Sequence, residues 1–599
     1  GGNTFLTDGN DTTNSFYDEN AGRTRTFNIS QDAVQEFQVV SSNFLAEYGH
    51  ASGGVVNTVT RSGSNTIHGT AYEFFRNATL NATDPTALGV NPPEWRHQAG
   101  LSIGGPILKD KLFYFFNGEL QRRNAPIVST NFGNNLYDAV GNPRPGATGA
   151  ACGAPTFTGT AVASPAQCAA ALAYLNSRAQ NQLVPRTMDV NLLFGKIDYH
   201  LNDRNSFAFS SNYLDFRSPN GIQTQLSLTG GNGIGNNANT TVFDRTGSAS
   251  WTFVASPTML NEFRFGYFKD RQFDPISPSL TPSFGPINLT VNGVTNLGFP
   301  TGYPRLNPSE QRFELMDTFS WTIGKHSVKY GVNWDHVEDY VDRLGNRFGS
   351  YSFPNVNAFA LDFSGPSTGK HWTSFSQDFG NPIVDVSMPE LSLFLQDEWR
   401  LTPKLTITPG LRYEHSWIPQ PTIFNPAVPQ TGRIPNNGLD LAPRFGIAYA
   451  MNEKTAIRAG YGIFYNRFTT SAIENLFLTN LTYQASYSLN GTNAAQLAAG
   501  PVFPNPLTAA PNVTGTGSVM YADDNWRNPY SQQADLGVQR ELAKNTTVDV
   551  SYVWSRTLHL QGTMNANLGV PGSSVGAPSA SYTYNILDAS GNNVGTYST

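Results

Sequence analysis

The sequence is short of charge. Charged side chains make up 14% of its 599 residues, against about 25% in an ordinary soluble domain. No block of Lys or Arg stands out, and 44 acidic against 38 basic residues leave a net charge of −6. A nucleic-acid binder, which needs a basic stripe for phosphate, is excluded. Long apolar runs are missing too, with stretches such as Phe113 to Phe116 falling far below the ~18 to 20 residues of a membrane-spanning helix. Cysteine is nearly absent, being confined to Cys152 and Cys168. Gly at 56 and Pro at 38 are only modestly above ordinary usage, which excludes collagen-like and low-complexity chains. What is abundant is apolar and aromatic surface, 39% and 12% of residues, enough to offset the entropy of folding and exclude disorder. Low charge, many aromatics and no spanning helix leave room for a membrane β-barrel.

Catalytic signatures are also lacking. No P-loop, H-E-x-x-H or C-x-x-C occurs, and the nine histidines are scattered without ligand spacing, so neither a metal nor another cofactor is expected, and no enzyme. Gly365-Pro366-Ser367-Thr368-Gly369 fits the spelling of a nucleophile elbow, but it sits in a Pro/Gly loop rather than between a strand and a helix, and reads as a turn.

Alternation is the dominant positive signal. Leu391, Leu393, Leu395 and Trp399, then Leu405, Ile407, Leu411 and Tyr413, are apolar across the turn Thr402-Pro403-Lys404. The interleaved positions Ser392, Gln396, Glu398, Arg400, Thr406, Thr408, Arg412 and Glu414 are polar. Side chains of a strand alternate between faces, so this is a hairpin with one greasy and one wet side. The pattern recurs at Phe445 to Tyr465, opposite Arg444 and Arg458, and at Leu536 to Trp554. About fifteen such segments occur, each near the ten residues expected of an outer-membrane strand. Short turns alternate with long Gly/Asn/Pro/Ser/Thr-rich linkers, from Arg123 to Val190, Phe216 to Thr241, Arg271 to Gln311, Val341 to Glu390, Trp417 to Ala442 and Phe468 to Pro529. That asymmetry predicts an outer-membrane barrel with short periplasmic turns and long extracellular loops, over a β-helix or tandem sandwiches. Asp317 and Asp397 share parity with apolar neighbours, so each faces lipid unless a bulge shifts the register.

The amino-terminal region adds specificity. Val34 to Val40 alternates like a strand and includes Glu36; Tyr48-Gly49 follows, then Gly53-Gly54-Val55-Val56-Asn57 and Thr60-Arg61. This run resembles the end of the plug domain of TonB-dependent receptors, and Asp8-Gly9-Asn10 resembles an earlier turn of that plug. Gln396-Asp397-Glu398-Trp399, Thr408-Pro409-Gly410-Leu411-Arg412-Tyr413 and Ala442-Pro443-Arg444-Phe445-Gly446 are similar to landmarks of the same family's barrel. Asn528-Pro529-Tyr530-Ser531-Gln532-Gln533, with Val538 to Leu542, is similar to the Oar-like subgroup.

The resemblance implies an all-β, transmembrane antiparallel barrel in the outer membrane of a Gram-negative bacterium, residues 1–65 being the end of the plug and 66–599 the barrel. Family barrels have about twenty-two strands, so the chain reads as an internal fragment that lacks the closing strands and the segment contacting the TonB–ExbB–ExbD complex. Alone it is not expected to function. The implied activity is energised import of a bulky nutrient, with glycan or peptide favoured and an iron chelate allowed. Surface adhesion or protein export, or a passive porin, are the alternatives. Implied partners are outer-membrane lipid, TonB, a cell-surface lipoprotein and a small-molecule, glycan or peptide substrate. In an oxidising periplasm Cys152 and Cys168 are expected to pair. Gln396, Glu398, Arg412, Glu414, Arg444 and Arg458 are expected to face the lumen, where they either meet plug charges such as Glu36 and Arg61 or are simply solvated. The loop aromatics Tyr303, Trp372, Phe375, Tyr521 and Trp526 are candidates to stack on a ligand or to fill the loops' own small cores.

Overall fold

The computed structural model describes residues 2–20, 28–41, 45–82, 91–129, 152–153, 161–179, 183–222, 227–228, 236–277, 285–291, 298–365, 369–436, 438–513, 519–564, 583–587 and 593–598. The chain divides into two compact units, Gly1–Leu558 and His559–Thr599. The second contains an antiparallel hairpin of Thr583–Leu587 and Asn593–Ser598.

The first unit begins with a small mixed sheet. Its strands are β1 (Asn3–Thr7), β2 (Asn10–Asp11), β3 (Val34–Val40) and β4 (Gly54–Thr60), in the order β2-β1-β4-β3. Strand β1 runs parallel to β4, and β3 antiparallel to it. The turn from β1 to β2 is Asp8-Gly9, both residues at positive φ; a β-carbon on Gly9 would strike the Arg264 guanidinium.

The rest of the unit is built on one 15-stranded antiparallel sheet. Its strands are β5 (His68–Asn77), β6 (Trp95–Leu108), β7 (Leu112–Asn124), β8 (Thr187–Asn202), β9 (Asn205–Ser218), β10 (Thr240–Ser256), β11 (Met259–Asp274) and β12 (Arg305–Ile323). They continue as β13 (His326–Asp342), β14 (Ile383–Thr402), β15 (Leu405–Ser416), β16 (Asp440–Asn452), β17 (Thr455–Tyr465), β18 (Tyr530–Ala543) and β19 (Thr546–Leu558). Each strand pairs with its successor in this series. Tight turns lie at one rim, such as Gly324-Lys325 and Pro403-Lys404, and the long linkers at the other. Inner-face residues from β5 to β18 hydrogen-bond to the amino-terminal sheet and its connecting loops, so the wall curls around them.

The strands are longer than the ten-residue expectation: β14 has 20 residues and β12 has 19. The register through Asp317 and Asp397 is unbroken by any bulge. Both keep the outer parity and find polar neighbours on that face. Asp317 accepts from Asn261 at 3.0 Å, and Asp397 meets His326 Nδ1 at 2.6 Å.

The long linkers are not plain loops. Cys152 is joined by a disulfide to Cys168, which lies in the first turn of helix α1 (Pro165–Ala179); the helix starts at Ser164-Pro165, a capping hydroxyl ahead of a proline. Helix α2 (Val356–Phe363) begins at Asn355, whose side chain accepts from Ala358 N. These helices pack with a four-stranded sheet of Asn288–Val291, Ser350–Phe353, Ser374–Gly380 and Gln484–Asn490. A second cluster joins α3 (Thr470–Leu478) to Val384, Val386 and Met388 of β14.

Candidate functional site

The densest polar chemistry lies where the amino-terminal sheet meets the wall. Asp11, at the end of β2, takes Arg312 of β12 and Arg467, just beyond β17, each at 3.0 Å. Arg312 also donates to Thr13 O at 2.5 Å and Ser15 Oγ at 2.7 Å, and Arg467 Nε donates to Glu390 at 2.8 Å. Burial acts to raise the Asp11 carboxyl, but the two guanidiniums overrule it and hold the group well below the usual carboxylate range. Asp11 is therefore ionised, bonded to two elements of the wall.

Arg412, Glu414 and Arg444 line the inner face and are buried. Arg412 Nε donates to Glu414 at 2.6 Å, and its Nη1 reaches the carbonyls of Ala46 and Glu47 at 3.4 Å. Arg444 donates to the Leu45 carbonyl and to the Tyr48 carbonyl, the latter at 2.8 Å. Gly49 follows because a β-carbon there would collide with the Arg412 guanidinium and the Glu414 carboxylate. That gives the Tyr48-Gly49 pair a physical reason. Lys329 pairs with Glu47 at 2.5 Å, and Lys196 with Asp8 at 3.2 Å.

Of the two expectations for these wall charges, pairing with Glu36 and Arg61 is not found, and Arg412, Glu414 and Arg444 are buried rather than solvated. Glu36 lies on the exposed face of β3 and accepts from Gln38 at 2.9 Å. Arg61 pairs with Asp32 at 3.6 Å and donates to Val34 O at 3.1 Å, so both stay within the amino-terminal sheet. The wall arginines hold backbone carbonyls of 45–48 instead, because that loop projects towards them. Gln396 is buried on the inner face. Glu398 and Arg458 share the inner parity but lie exposed near the short-turn rim, partnered by Arg400 and Gln539 of the wall. Within the signature, Asn57 bridges to Gly9 N and Gln38, while Gly53 and Gly54 lie against the backbone of Gly2 and Val40.

For two of the aromatic candidates the structure corrects the ligand-stacking reading in favour of the other one, filling the loops' own core. Trp372 and Phe375 are 0% and 1% exposed, enclosed with Tyr351, Phe353 and Phe503 in the core of the long-linker sheet. Trp526 packs on Phe468 with ring centroids 4.7 Å apart. Tyr303 lies under the Arg305 guanidinium at 4.7 Å, and Tyr521 is exposed. Ser367 falls outside the described residues.

Sequence reasoning missed Asp11, Arg312, Glu390 and Arg467. Glu310, Arg312 and Glu314 do carry a signal, alternating with Phe313 and Leu315 just as Arg412 and Glu414 alternate with Leu411 and Tyr413. Arg467 lies in a linker and carries none.

Two cavities flank this seam. One of about 440 Å³ lies between the amino-terminal sheet and the wall, lined by Leu6, Asp8, His50, Arg264, Lys329 and Asn333 among others. The other, of about 610 Å³, lies towards the long-linker rim between Ile29–Gln31 and Arg96, Glu119, Arg123, Asp274 and Arg305.

Comparison with known proteins agrees with this architecture. The chain is 34% identical over 120 residues to the TonB-dependent transporter Oar of Myxococcus xanthus, a stretch covering 19% of this chain and 11% of that protein. It is 27% identical over 104 residues, 17% of this chain and 12% of the relative, to a probable TonB-dependent siderophore receptor, PirA, of Acinetobacter baumannii. The crystal structure of that siderophore receptor superposes with a TM-score of 0.52 at 12% identity, covering 100% of this chain and 67% of the receptor. The outer membrane transporter YddB of Escherichia coli gives a TM-score of 0.57 at 12% identity, covering 92% of this chain and 61% of the transporter. The chain thus spans about two thirds of the length of these solved structures. The profile of the outer membrane β-barrel domain matches residues 59–598. With a wall that is greasy outside, wet inside and wrapped around a polar plug, the chain belongs to the outer membrane β-barrel family, and its place is the outer membrane of a Gram-negative bacterium.

Proposed function

We propose that the protein to which this chain belongs is a TonB-dependent importer of a bulky polar nutrient, glycan or peptide in class. The observation that carries the reading is the seat of the plug, where hydrogen bonds and ion pairs to the wall are joined, among the described residues, by only two small apolar contacts, Ile29, Ala33 and Val34 against Phe115 and Phe194, and Ala51 and Val55 against Phe464. Each such bond can be exchanged for one to water as the plug shifts, so its net worth is about 1 kcal/mol for a neutral pair and about 1.5–3 kcal/mol for a charged one, while its geometry stays specific. A seam of that kind holds at rest and yields when pulled. Ligand enters from the long-loop side, where the 610 Å³ cavity meets the plug at Ile29–Gln31, and energy reaches the plug from the opposite rim through TonB.

The cavity's chemistry favours a neutral polar ligand over an anionic iron chelate. Arg123 is paired with Glu94 at 2.6 Å, Arg305 with Asp274 at 2.8 Å, and Arg96 donates to Gln98 at 2.5 Å. Its positive charge is largely committed before a ligand arrives. The test is uptake of labelled oligosaccharides, oligopeptides and ferric chelates by cells carrying or lacking the full-length receptor, with TonB present or deleted. Receptor- and TonB-dependent uptake of a glycan or peptide is expected. Uptake of ferric chelates alone overturns the substrate class; cell attachment with no uptake of any cargo overturns import in favour of adhesion.

A further inference from the structure

Plug and wall together build a second constellation that the spacing of histidines does not show. His50 of the plug, Asp335 of β13 and Glu390 of β14 bring one ligand atom each to within 4.8 Å of one another, and all three are buried. His50 Nε2 lies 4.0 Å from Asp335 Oδ2. Neither His50 Nε2 nor Asp335 Oδ1 has a hydrogen-bond partner within the protein, although His50 is only 8% exposed. Buried polar atoms without protein partners call for a ligand of some kind.

The three groups are held in place from outside the cluster. His50 adopts a φ of +54°, a left-handed conformation that costs a residue with a β-carbon. Its N–H donates to Glu414 at 3.0 Å and its carbonyl accepts from the Thr4 hydroxyl at 2.9 Å. Glu390 accepts from Arg467 at 2.8 Å through Oε2 and from Ser416 at 2.7 Å through Oε1, leaving lone pairs on both oxygens. Such outer contacts are what orient ligands around a metal. Charge points the same way. Asp11, Glu310, Glu314, Asp335, Asp339, Glu390 and Glu414 are buried along this seam, and the buried guanidiniums among them are Arg312, Arg412, Arg444 and Arg467. Surplus negative charge away from water favours a bound cation.

We propose that His50, Asp335 and Glu390 form a divalent transition-metal site, suited to Zn²⁺, that clips the plug to the wall. An imidazole with two carboxylates selects against Mg²⁺ and Ca²⁺, which prefer all-oxygen shells. Three protein ligands with one water make the tetrahedral arrangement of zinc. Bonds of about 2.0–2.2 Å set tetrahedral ligand atoms roughly 3.3–3.6 Å apart, so the ion draws the groups together by about 1 Å. The 440 Å³ cavity, which His50 and Asn333 both line, gives the ion an approach.

The test uses the full-length receptor in detergent, stripped by chelator and titrated with Zn²⁺ by calorimetry and with Co²⁺ by visible absorption. One ion per chain is expected, with the Co²⁺ spectrum of a four-coordinate site. Affinity should fall at least about 100-fold in His50→Gln and in Asp335→Asn, and be unchanged in His326→Gln on the outer wall. Zn²⁺ should slow amide exchange over residues 45–50 in the wild type and not in His50→Gln. The wild-type titration stands even if a variant misfolds: no stoichiometric ion there overturns the proposal, as does binding that survives in both folded variants. The readout is independent of transport.

Discussion

Two halves of one strand carry opposite chemistry. In the lower half of β14, Leu391, Leu393, Leu395 and Trp399 point outward and Ser392 and Gln396 inward; in the upper half, Asp385 and Ser387 point outward and Val384, Val386 and Met388 inward. The pleat keeps its phase throughout, as the unbroken register with β13 requires. What changes is the surroundings. Twenty residues at about 3.3 Å each, tilted by some 40°, rise about 50 Å, twice the ~25 Å apolar band of an outer-membrane barrel. Below, lipid is outside and a polar plug inside. Above, water is outside and α3 with its apolar cluster fills the inside. The same inversion occurs on β8, where Met188, Val190 and Leu192 turn inward to meet Leu214, Phe216 and Val242. An alternating pattern therefore reports which face is buried against something greasy, and not which face is lipid.

The contrast can be broken by substitution. Met388→Ala in the full-length receptor empties a fully buried inward site and should cost about 2–5 kcal/mol, read as earlier proteolysis and faster amide exchange of α3, with the lipid-facing wall unaffected. Leu393→Arg, outward in the lower half, should cost about 2–4 kcal/mol in bilayer unfolding, whereas Ser387→Arg, outward in the upper half, should stay within ~0.5 kcal/mol; equal costs would mean that both halves meet the same solvent. A third test uses pH. Burial raises the Glu474 carboxyl of α3 to about 7, with Arg343 only partly opposing. A carboxyl whose folded pKa exceeds its unfolded value binds more protons when folded. The α3 packing should thus be firmest below about pH 4.5 and loosen by up to about 3 kcal/mol as pH rises through 7, a dependence that Glu474→Gln removes.

Legibility followed distance along the chain. The hairpins around Pro403-Lys404 and Gly324-Lys325 could be read because their faces repeat within a few residues, and the inner placement of Arg412, Glu414 and Arg444 came with them. The strand ends beyond that band were read as linker, since their polarity runs opposite to the rest of the strand. The partners of the wall charges were not legible, since nothing local says that the loop at 45–48 and not Glu36 or Arg61 reaches Arg412 and Arg444. The sequence leaves open whether Trp372 and Phe375 meet a ligand or fill a loop core, because loop aromatics look alike until a core forms around them.

By itself the sequence determined the wall: a period of two, tight turns and scarce charge admit little else in a membrane, where every backbone group must be bonded within the sheet. Only the tertiary structure decided what fills that wall. Asp11 meets Arg467, and His50 meets Asp335 and Glu390, across hundreds of residues. Such encounters are set by how the plug seats in a curved sheet, and no local pattern of side chains records them.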